Sequence, residues 1–402
     1  MIILSLQSGT SADGIDVAVV EATTSGDRAR PDLTLVSRWT RTLDWEPELR
    51  ARILAYADGE CLDAGAHTAL TTEIGQGFAA AAATAVAECG LEPDLVVSHG
   101  QTVFHWVEDG RARGTLQLGE PAWIAEATGA PVLANLRAAD IAAGGQGAPL
   151  MGLFDAAFFG PAVDVASLNL GGIANLQILR PDGSALAFDT GPANVLIDAS
   201  VAEHTGGVLG FDRDGALAAA GTVHDGVLAA LLEHPYLRQA SPKSTGRETF
   251  TLAIVRSALA TAGVRLELPD LIATLTRYTA TSVADALRGS GPEVRTVVAS
   301  GGGVLNPTLV RELADALARD GVRLRTSDEL GIDPEFKESL LFAFLGFCSW
   351  HRIPVSLEHG IARIAGAISP APNGFTLPAP LDGISRLSLA AAPHPTGEHR
   401  DD

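Results

Sequence analysis

The chain has 402 residues and a net charge of −20, with no Lys/Arg run anywhere, which excludes nucleic-acid binding by phosphate neutralisation. Hydrophobic residues make up 47% and aromatics only 5%, enough apolar material for the cores of two or three domains but not for a stacking surface. The three cysteines, Cys61, Cys89 and Cys348, are odd in number, widely spaced and without any CxxC. Neither a disulfide framework nor a zinc site is expected, and a reducing, cytoplasmic setting is. No basic n-region with a cleavage site opens the chain, and the apolar run over 340–350 is too short to span a bilayer, so neither secretion nor membrane association is expected.

The predicted elements begin with a strand over 2–6, a polar turn QSGTSADG, and a second strand, IDVAVVEA, from Ile15. A polar, charge-bearing stretch to about Glu46 carries no predicted element. Helix is predicted from Pro47 through the Ala-rich segment around Phe78 to Cys89, stopped by Gly90. Residues 95–98 read as a short buried strand leading into an HGQT loop, and 121–128 as a helix with Pro in its first turn. Residues 138–149 form a Gly/Ala-rich loop suited to a domain crossing or a substrate contact. A strand over 163–170, the Gly171-Gly172 turn and a strand over 173–179 repeat the pattern of the first twenty residues, and 185–188 adds a third strand. That recurrence suggests an internal duplication, carried by pattern and not by identity. Helices are predicted over 195–204, 215–220, 227–233, 251–262 and 278–288. A strand over 297–300 leads through three glycines into a helix over 307–319, and a last apolar helix covers 334–350. From residue 371 to 402 a mostly disordered tail is expected.

Four segments carry chemistry. In SGTSADGID, Gly9, Thr10, Ser11 and Gly14 can aim backbone N–H groups and two hydroxyls at a polyphosphate. With Ala12, Asp13, Ile15 and Asp16 they form the candidate ATP turn, and Asp13 and Asp16 are the candidate Mg²⁺ partners, direct or through water. The run lacks the Lys and following helix of a P-loop, and an ordinary hairpin turn is the competing reading. In NLGGIAN, Gly171 and Gly172 permit close backbone approach to a phosphate, with Asn175 beside them. In FDTGPAN a strand ends on Asp189, well placed as a general base, with a helix N-cap as the alternative. SGGGVLN, with Gly301, Gly302, Gly303 and Asn306, can cradle an adenosine or its phosphates, and is also a common connection in α/β folds. Asp212-x-Asp214-Gly215 opens like a calcium loop but has Val223 where Glu is required, and no GxSxG elbow occurs.

In order along the chain stand SGTSADGID at Ser8, SHGQTVFH at Ser98, QLGEPAWIAEATG at Gln117, DIAAGGQGAPL at Asp140 and NLGGIAN at Asn169. FDTGPAN at Phe188, PKSTGRE at Pro242, SGGGVLNP at Ser300 and the late helix with Glu338 follow. Together they resemble the anhydro-N-acetylmuramic acid kinase family, a branch of the sugar kinase, Hsp70 and actin superfamily, over residues 1 to about 350. HGQT with PKSTGRE separates this family from other kinases of the superfamily. The chain departs from it at Gln7, where Met is usual, and at Asn135-Leu136-Arg137, where Asp-Phe-Arg is usual; residues 359–367 and the tail also differ.

The resemblance implies an α/β fold of two RNase H-like (actin-like ATPase) domains around a central cleft. They are placed at residues 1–136, with a return near 355–370, and at 137–354. It implies ATP and Mg²⁺ as cofactors, Asp189 as catalytic base, and sugar contacts from His105, Arg137 and Glu338. The implied reaction converts 1,6-anhydro-N-acetylmuramic acid to N-acetylmuramic acid 6-phosphate with hydrolytic opening of the anhydro ring, in peptidoglycan recycling. The expected partner is thus a small amino sugar, and a homodimer is left open. A kinase for another sugar or a carboxylate, and a low-turnover nucleotide-dependent sensor of the same fold, are the alternatives.

Overall fold

The computed structural model describes residues 1–160, 164–180, 185–246, 248–291, 293–356 and 361–390. The chain opens with β1 (Ile2–Ser8), β2 (Ile15–Ser25) and β3 (Asp32–Leu43). β1 is buried from Ile3 onward, as a central strand covered on both faces must be. Next come α1 (Pro47–Ala57) and α2 (Ala64–Cys89). The Asp63 carboxylate caps α2 by accepting from the Ala66 N–H, and Gly90 ends it at φ 68°. β4 (Leu95–Glu108) and β5 (Arg111–Leu118) form a hairpin, followed by α3 (Pro121–Thr128), β6 (Val132–Ala134), α4 (Ala138–Ala142) and α5 (Met151–Phe159).

The middle of the chain supplies β7 (Val165–Leu170), β8 (Ile173–Leu179), β9 (Ala185–Pro192) and α6 (Val195–His204). Then come α7 (Ala216–Ala220), α8 (Asp225–Leu232), α9 (Leu252–Ala262) and α10 (Leu268–Gly289). β10 (Thr296–Ser300), α11 (Pro307–Ala318) and β11 (Arg323–Thr326) complete this part. The last stretch holds α12 (Lys337–Trp350), β12 (Ala367–Ser369) and β13 (Arg386–Leu389).

Two compact units result. One comprises the residues up to Gly160 and those from Phe336 onward; the other lies between them. The sheet of the first unit runs β12-β6-β4-β1-β2-β3-β13, with β5 beside β4. The sheet of the second runs β11-β10-β7-β8-β9. In the first, β2 and β3 are antiparallel additions to β1 while β4 and β6 run parallel to it. In the second, β8 and β9 are antiparallel additions to β7 while β10 and β11 run parallel. The core order β6-β4-β1-β2-β3 therefore matches β11-β10-β7-β8-β9 strand for strand, the RNase H-like arrangement twice over. Leu4, Leu6, Val17 and Val19 pack on Ile74 and Phe78 of α2 in the first unit. Leu168, Leu176 and Val297 pack with Val283 of α10 and Leu313 of α11 in the second.

Several elements differ from those expected. The stretch before Glu46 contains β3: Leu33 and Leu35 are fully buried, and the Arg and Thr residues between and after them gave it a polar look. HGQT is not a loop; β4 continues through it because β5 pairs with the extension. α10 begins at Leu268 and not at 278, β11 was not expected, and α12 begins at Lys337.

The units part after Gly160 and before Phe336, whereas the expected boundaries lay at 136 and 354. α12 belongs with the first unit because it lies flush on that sheet: a Cβ at Gly346 would come within 2.4 Å of Val97 Cγ2. A buried ion pair of 2.7 Å, Lys337 to Asp155, also ties α12 to α5. The region from 371 is structured as far as 390, since β13 pairs in parallel with β3 and buries Leu387. The remainder of the expected tail, residues 391–402, lies outside the described residues, as do Arg247 of PKSTGRE and His359. No single helix among the described residues is long and apolar enough to cross a membrane.

Candidate functional site

In the first unit, β1 and β2 deliver the glycine turn at the edge of the buried strands. The Ala12 N–H donates to the Gly9 carbonyl (3.0 Å), with Ala12 itself at φ 48°. Gly9, Thr10 and Asp13 are exposed, Ser11 and Asp16 are half-buried, and Ala12 and Ile15 are core side chains. The turn is held from three sides. Arg50 Nε donates to the Ala12 carbonyl (2.8 Å), and Arg50 Nη2 to the Ser11 carbonyl (3.4 Å) and to Asp13 Oδ1 (3.3 Å). Gln101 Nε2 of the HGQT run donates to the Gly9 carbonyl (2.8 Å), and Trp45 Nε1 to Ser8 Oγ (3.0 Å). Neither Arg50 nor Trp45 was expected here; their contacts join residues some forty positions apart.

Asp16 accepts from Thr42 Oγ1 (2.6 Å) and from Gln7 Nε2 (3.4 Å). Burial pushes its carboxyl up, these two hydrogen bonds pull it down, and Asp13 pushes it up further. A half-buried carboxylate whose bonds come from neutral donors suits a hard divalent cation, and one or two carboxylates suffice when phosphates complete the shell. Asp13 is mostly exposed and shares its charge with Arg50, so it fits such an ion only through water. No group of three or more potential metal ligands occurs among the described residues.

Next to Asp16 lies a charged corner of the same unit. Arg137 Nε donates to His99 Nε2 (2.9 Å) and Nη1 to the Gly147 carbonyl (2.8 Å). His99 stacks on Phe342 of α12 with ring centroids 4.8 Å apart. Burial first, then the Arg137 charge, push the His99 imidazole down to about 3. It is a neutral acceptor at Nε2, and its proton sits on Nδ1. His105 is half-buried on β4, lowered by burial and by the same Arg137. Burial pushes the Glu338 carboxyl up, Arg137 draws it back, and Asp16 pushes it up again. The Glu338 side chain is nonetheless open to solvent, so its surroundings are a recess and not a sealed interior. The three expected sugar-side residues thus share one electrostatic neighbourhood with Asp16. Asp140 closes the Gly-rich loop beneath them by accepting from the Gly147 N–H (2.8 Å).

In the second unit Asp189 lies on β9 directly opposite Asn175 of β8. Asn175 Nδ2 donates to Asp189 Oδ1 (2.9 Å), and the Thr245 N–H donates to Oδ2 (2.8 Å). Asp189 is not a helix cap: the N-cap of α6 is Asn194. Asn175, expected with the nucleotide, has its amide on the carboxylate instead.

The Gly171 carbonyl receives the Asn194 N–H (3.0 Å) and the Gly172 carbonyl those of Ala193 and Val195, which ties that turn to the start of α6. The SGGG turn packs on the same strands. A Cβ at Gly301 would meet Asn169 Oδ1 at 2.5 Å and one at Gly303 would meet Leu170 Cβ at 2.6 Å, whereas Gly302 faces open space. Asn306 accepts from the Leu309 N–H (3.0 Å) as the cap of α11. Of that run, only Gly302 is left free for a ligand by its own packing.

The sequence pattern of anhydro-N-acetylmuramic acid kinases matches residues 1–378. The chain belongs to the anhydro-N-acetylmuramic acid kinase family. It is 48% identical to the anhydro-N-acetylmuramic acid kinase of Streptomyces avermitilis, covering 94% of this chain and 97% of that one. The kinase of Rhodococcus erythropolis is 45% identical, over 93% and 96% of the two chains. That of Xanthomonas oryzae pv. oryzae is 41% identical, over 94% and 98%. A solved structure of an activator of 2-hydroxyisocaproyl-CoA dehydratase from Clostridium difficile covers 86% of this chain and 94% of its own at 13% identity. Its TM-score is 0.44.

The glycine turns that the sequence singled out lie at β1–β2 and β7–β8 and after β10, and the candidate base Asp189 stands on β9. What sequence reasoning missed are the residues that hold these groups: Arg50 on the SGTSADGID turn, His99 on Arg137, and Thr245 on Asp189. PKSTGRE was the signal that could have found Thr245.

Proposed function

We propose that this kinase transfers the γ-phosphate of ATP to O6 of 1,6-anhydro-N-acetylmuramic acid while water opens the anhydro ring, yielding N-acetylmuramic acid 6-phosphate for peptidoglycan recycling in the cytoplasm. The observation that carries the reading is the Asp189 carboxylate, fixed through both oxygens by neutral donors, Asn175 and the Thr245 N–H. So held, with no ion pair to it among the described residues, it serves as a general base. Asp189 takes a proton from water, and the water oxygen bonds to C1. The C1–O6 bond breaks with its electron pair on O6, O6 attacks the γ-phosphorus, and ADP leaves with the bridging oxygen.

Gly9, Gly171 and Gly302, where a Cβ would meet nothing closer than 3.4 Å, let backbone N–H groups approach the phosphates. Asp16, with Asp13 through water, would hold Mg²⁺, which when bound offsets charge on the phosphoryl group. Arg137 and Glu338 hydrogen-bond the sugar with His105 beside them, and His99 keeps the guanidinium in place. Two bond changes sharing one site draw much of their acceleration from proximity.

Asp189→Asn keeps the shape and removes the base. Its kcat on the anhydro sugar is expected to fall roughly 10²–10⁴-fold, with ATP affinity retained in calorimetry. An Asp189→Asn enzyme of full activity contradicts the assignment. The same assay, run with a panel of amino sugars and carboxylates, separates this reading from a kinase of another specificity or a sensor of low turnover.

A further inference from the structure

In the reaction above PKSTGRE supplies the Thr245 N–H to Asp189 and nothing more. Its residues run alongside β9. The Asp189 N–H donates to the Lys243 carbonyl (2.9 Å), and two residues on the Thr245 N–H donates to Asp189 Oδ2 (2.8 Å). Lys243 is itself anchored: Nζ donates to the carbonyls of Tyr236 (3.0 Å) and Leu237 (3.2 Å) and lies 4.6 Å above the Tyr236 ring. The Tyr236 hydroxyl closes the circuit by donating to the Asp189 carbonyl (2.9 Å). The segment therefore grips Asp189 by both its backbone and its side chain.

Against this full set of bonds, Thr245 Oγ1 is a buried hydroxyl with no hydrogen-bond partner among the described residues. A buried hydroxyl left unbonded is costly, and this one belongs to the residue whose N–H holds the proposed base. Because the N–H of the same residue is on Oδ2, covalent geometry holds Oγ1 within the span from that oxygen that one water bridges. The reaction requires one water at this carboxylate.

We propose that Thr245 Oγ1 is a catalytic residue that holds the attacking water against Asp189 Oδ2; the inference rests on Asp189 being the base. The water donates one proton to Oδ2 and the other to Thr245 Oγ1, which directs a lone pair at C1. As the O–C1 bond forms, the first proton moves to Asp189 and the C1–O6 pair passes to O6. The second proton stays on the new C1 hydroxyl, still bonded to Thr245, which is neutral throughout.

Thr245→Val in the full chain deletes the hydroxyl while keeping the β-branch and the backbone N–H to Asp189; Thr245→Ser restores the hydroxyl. The Val enzyme is expected to lose about 10- to 100-fold in kcat, the worth of one buried hydrogen bond. Its KM values for ATP and sugar, and the pH of the acid limb of kcat, are expected to stay in place, and the Ser enzyme to recover most of the loss. If Val lowers the melting temperature, Thr245→Ala carries the comparison and Ser must exceed it. Unchanged kcat in the Val enzyme, no recovery in Ser, or a displaced acid limb overturns the proposal; the last would show Thr245 acting on the basicity of the carboxylate and not on the water. Asp189→Asn assayed alongside separates the failures. If it is inactive while Val is fully active, only the placing of the water is wrong; if it is fully active, the base itself is misassigned.

Discussion

Glu338, proposed as a sugar contact, shows what such a group costs its own fold. Burial and Asp16 both favour the protonated form, and Arg137 only partly offsets them. The carboxyl therefore titrates higher in the native state than its ordinary 4.5 in the unfolded chain. A raised native value means that the native state holds the proton more tightly, so stability is greatest below the unfolded value and is lost as pH rises through the native one. Glu338→Gln removes that penalty. Its melting temperature is expected to exceed the parent's at about pH 7–8 and to converge with it near pH 4. Its kcat/KM for the sugar is expected to fall about 10- to 100-fold, the worth of a charged hydrogen bond. A variant no more stable at neutral pH would show that Arg137 fully compensates the charge. At this scale the sequence singled out Asp189 on the expectation that a strand ends there before Gly and Pro, whereas β9 runs on through Pro192. It could not place Asn175, whose partner is set by a cross-strand register that no linear spacing displays. Nor could it find Arg50, which reaches the turn from a separate helix.

The glycine turns sort into two kinds by what surrounds them. A Cβ at Gly9 meets nothing closer than Ser11 Oγ at 3.9 Å, whereas one at Gly14 strikes Thr42 Cγ2 at 2.6 Å and the Leu43 carbonyl at 3.0 Å. Both glycines looked alike in the sequence, and only the packing of β3 against the turn separates them. Gly9→Val is expected to keep the parental circular dichroism and melting temperature while ATP affinity drops at least about tenfold. Gly14→Val is expected to lower the melting temperature whether or not ATP is present, since overpacking a filled site costs about 1–3 kcal/mol. If Gly9→Val binds ATP as the parent does, the turn serves the hairpin alone. The strand β3 escaped notice for a related reason. Its buried residues are only Leu33, Leu35 and Val36, and those after them are mostly charged and polar because they lie toward the sheet edge.

Over the whole chain, the duplication was legible because a strand, glycine turn, strand pattern occurs twice and each copy founds a sheet of the same order. The division between the units was not. α12 is apolar almost all round, which announces burial but does not say on which sheet; the fit of Gly346 against Val97 does. The proposed chemistry assigns the base to β9 of the second unit, the sugar-side charges around Arg137 to the first, and a candidate phosphate turn to each. Its central claim is that water attacks C1 and the freed O6 takes the phosphoryl group. A reaction with ATP, Mg²⁺ and 1,6-anhydro-N-acetylmuramic acid in ¹⁸O-water, sampled within the first turnovers before the anomeric hydroxyl exchanges, tests it directly by mass spectrometry and NMR. The expected product carries one ¹⁸O on C1, an unlabelled oxygen bridging C6 to phosphorus, and no label in the phosphoryl group. Label in the phosphate, or a phosphorylated sugar whose anhydro ring is still closed, would contradict it.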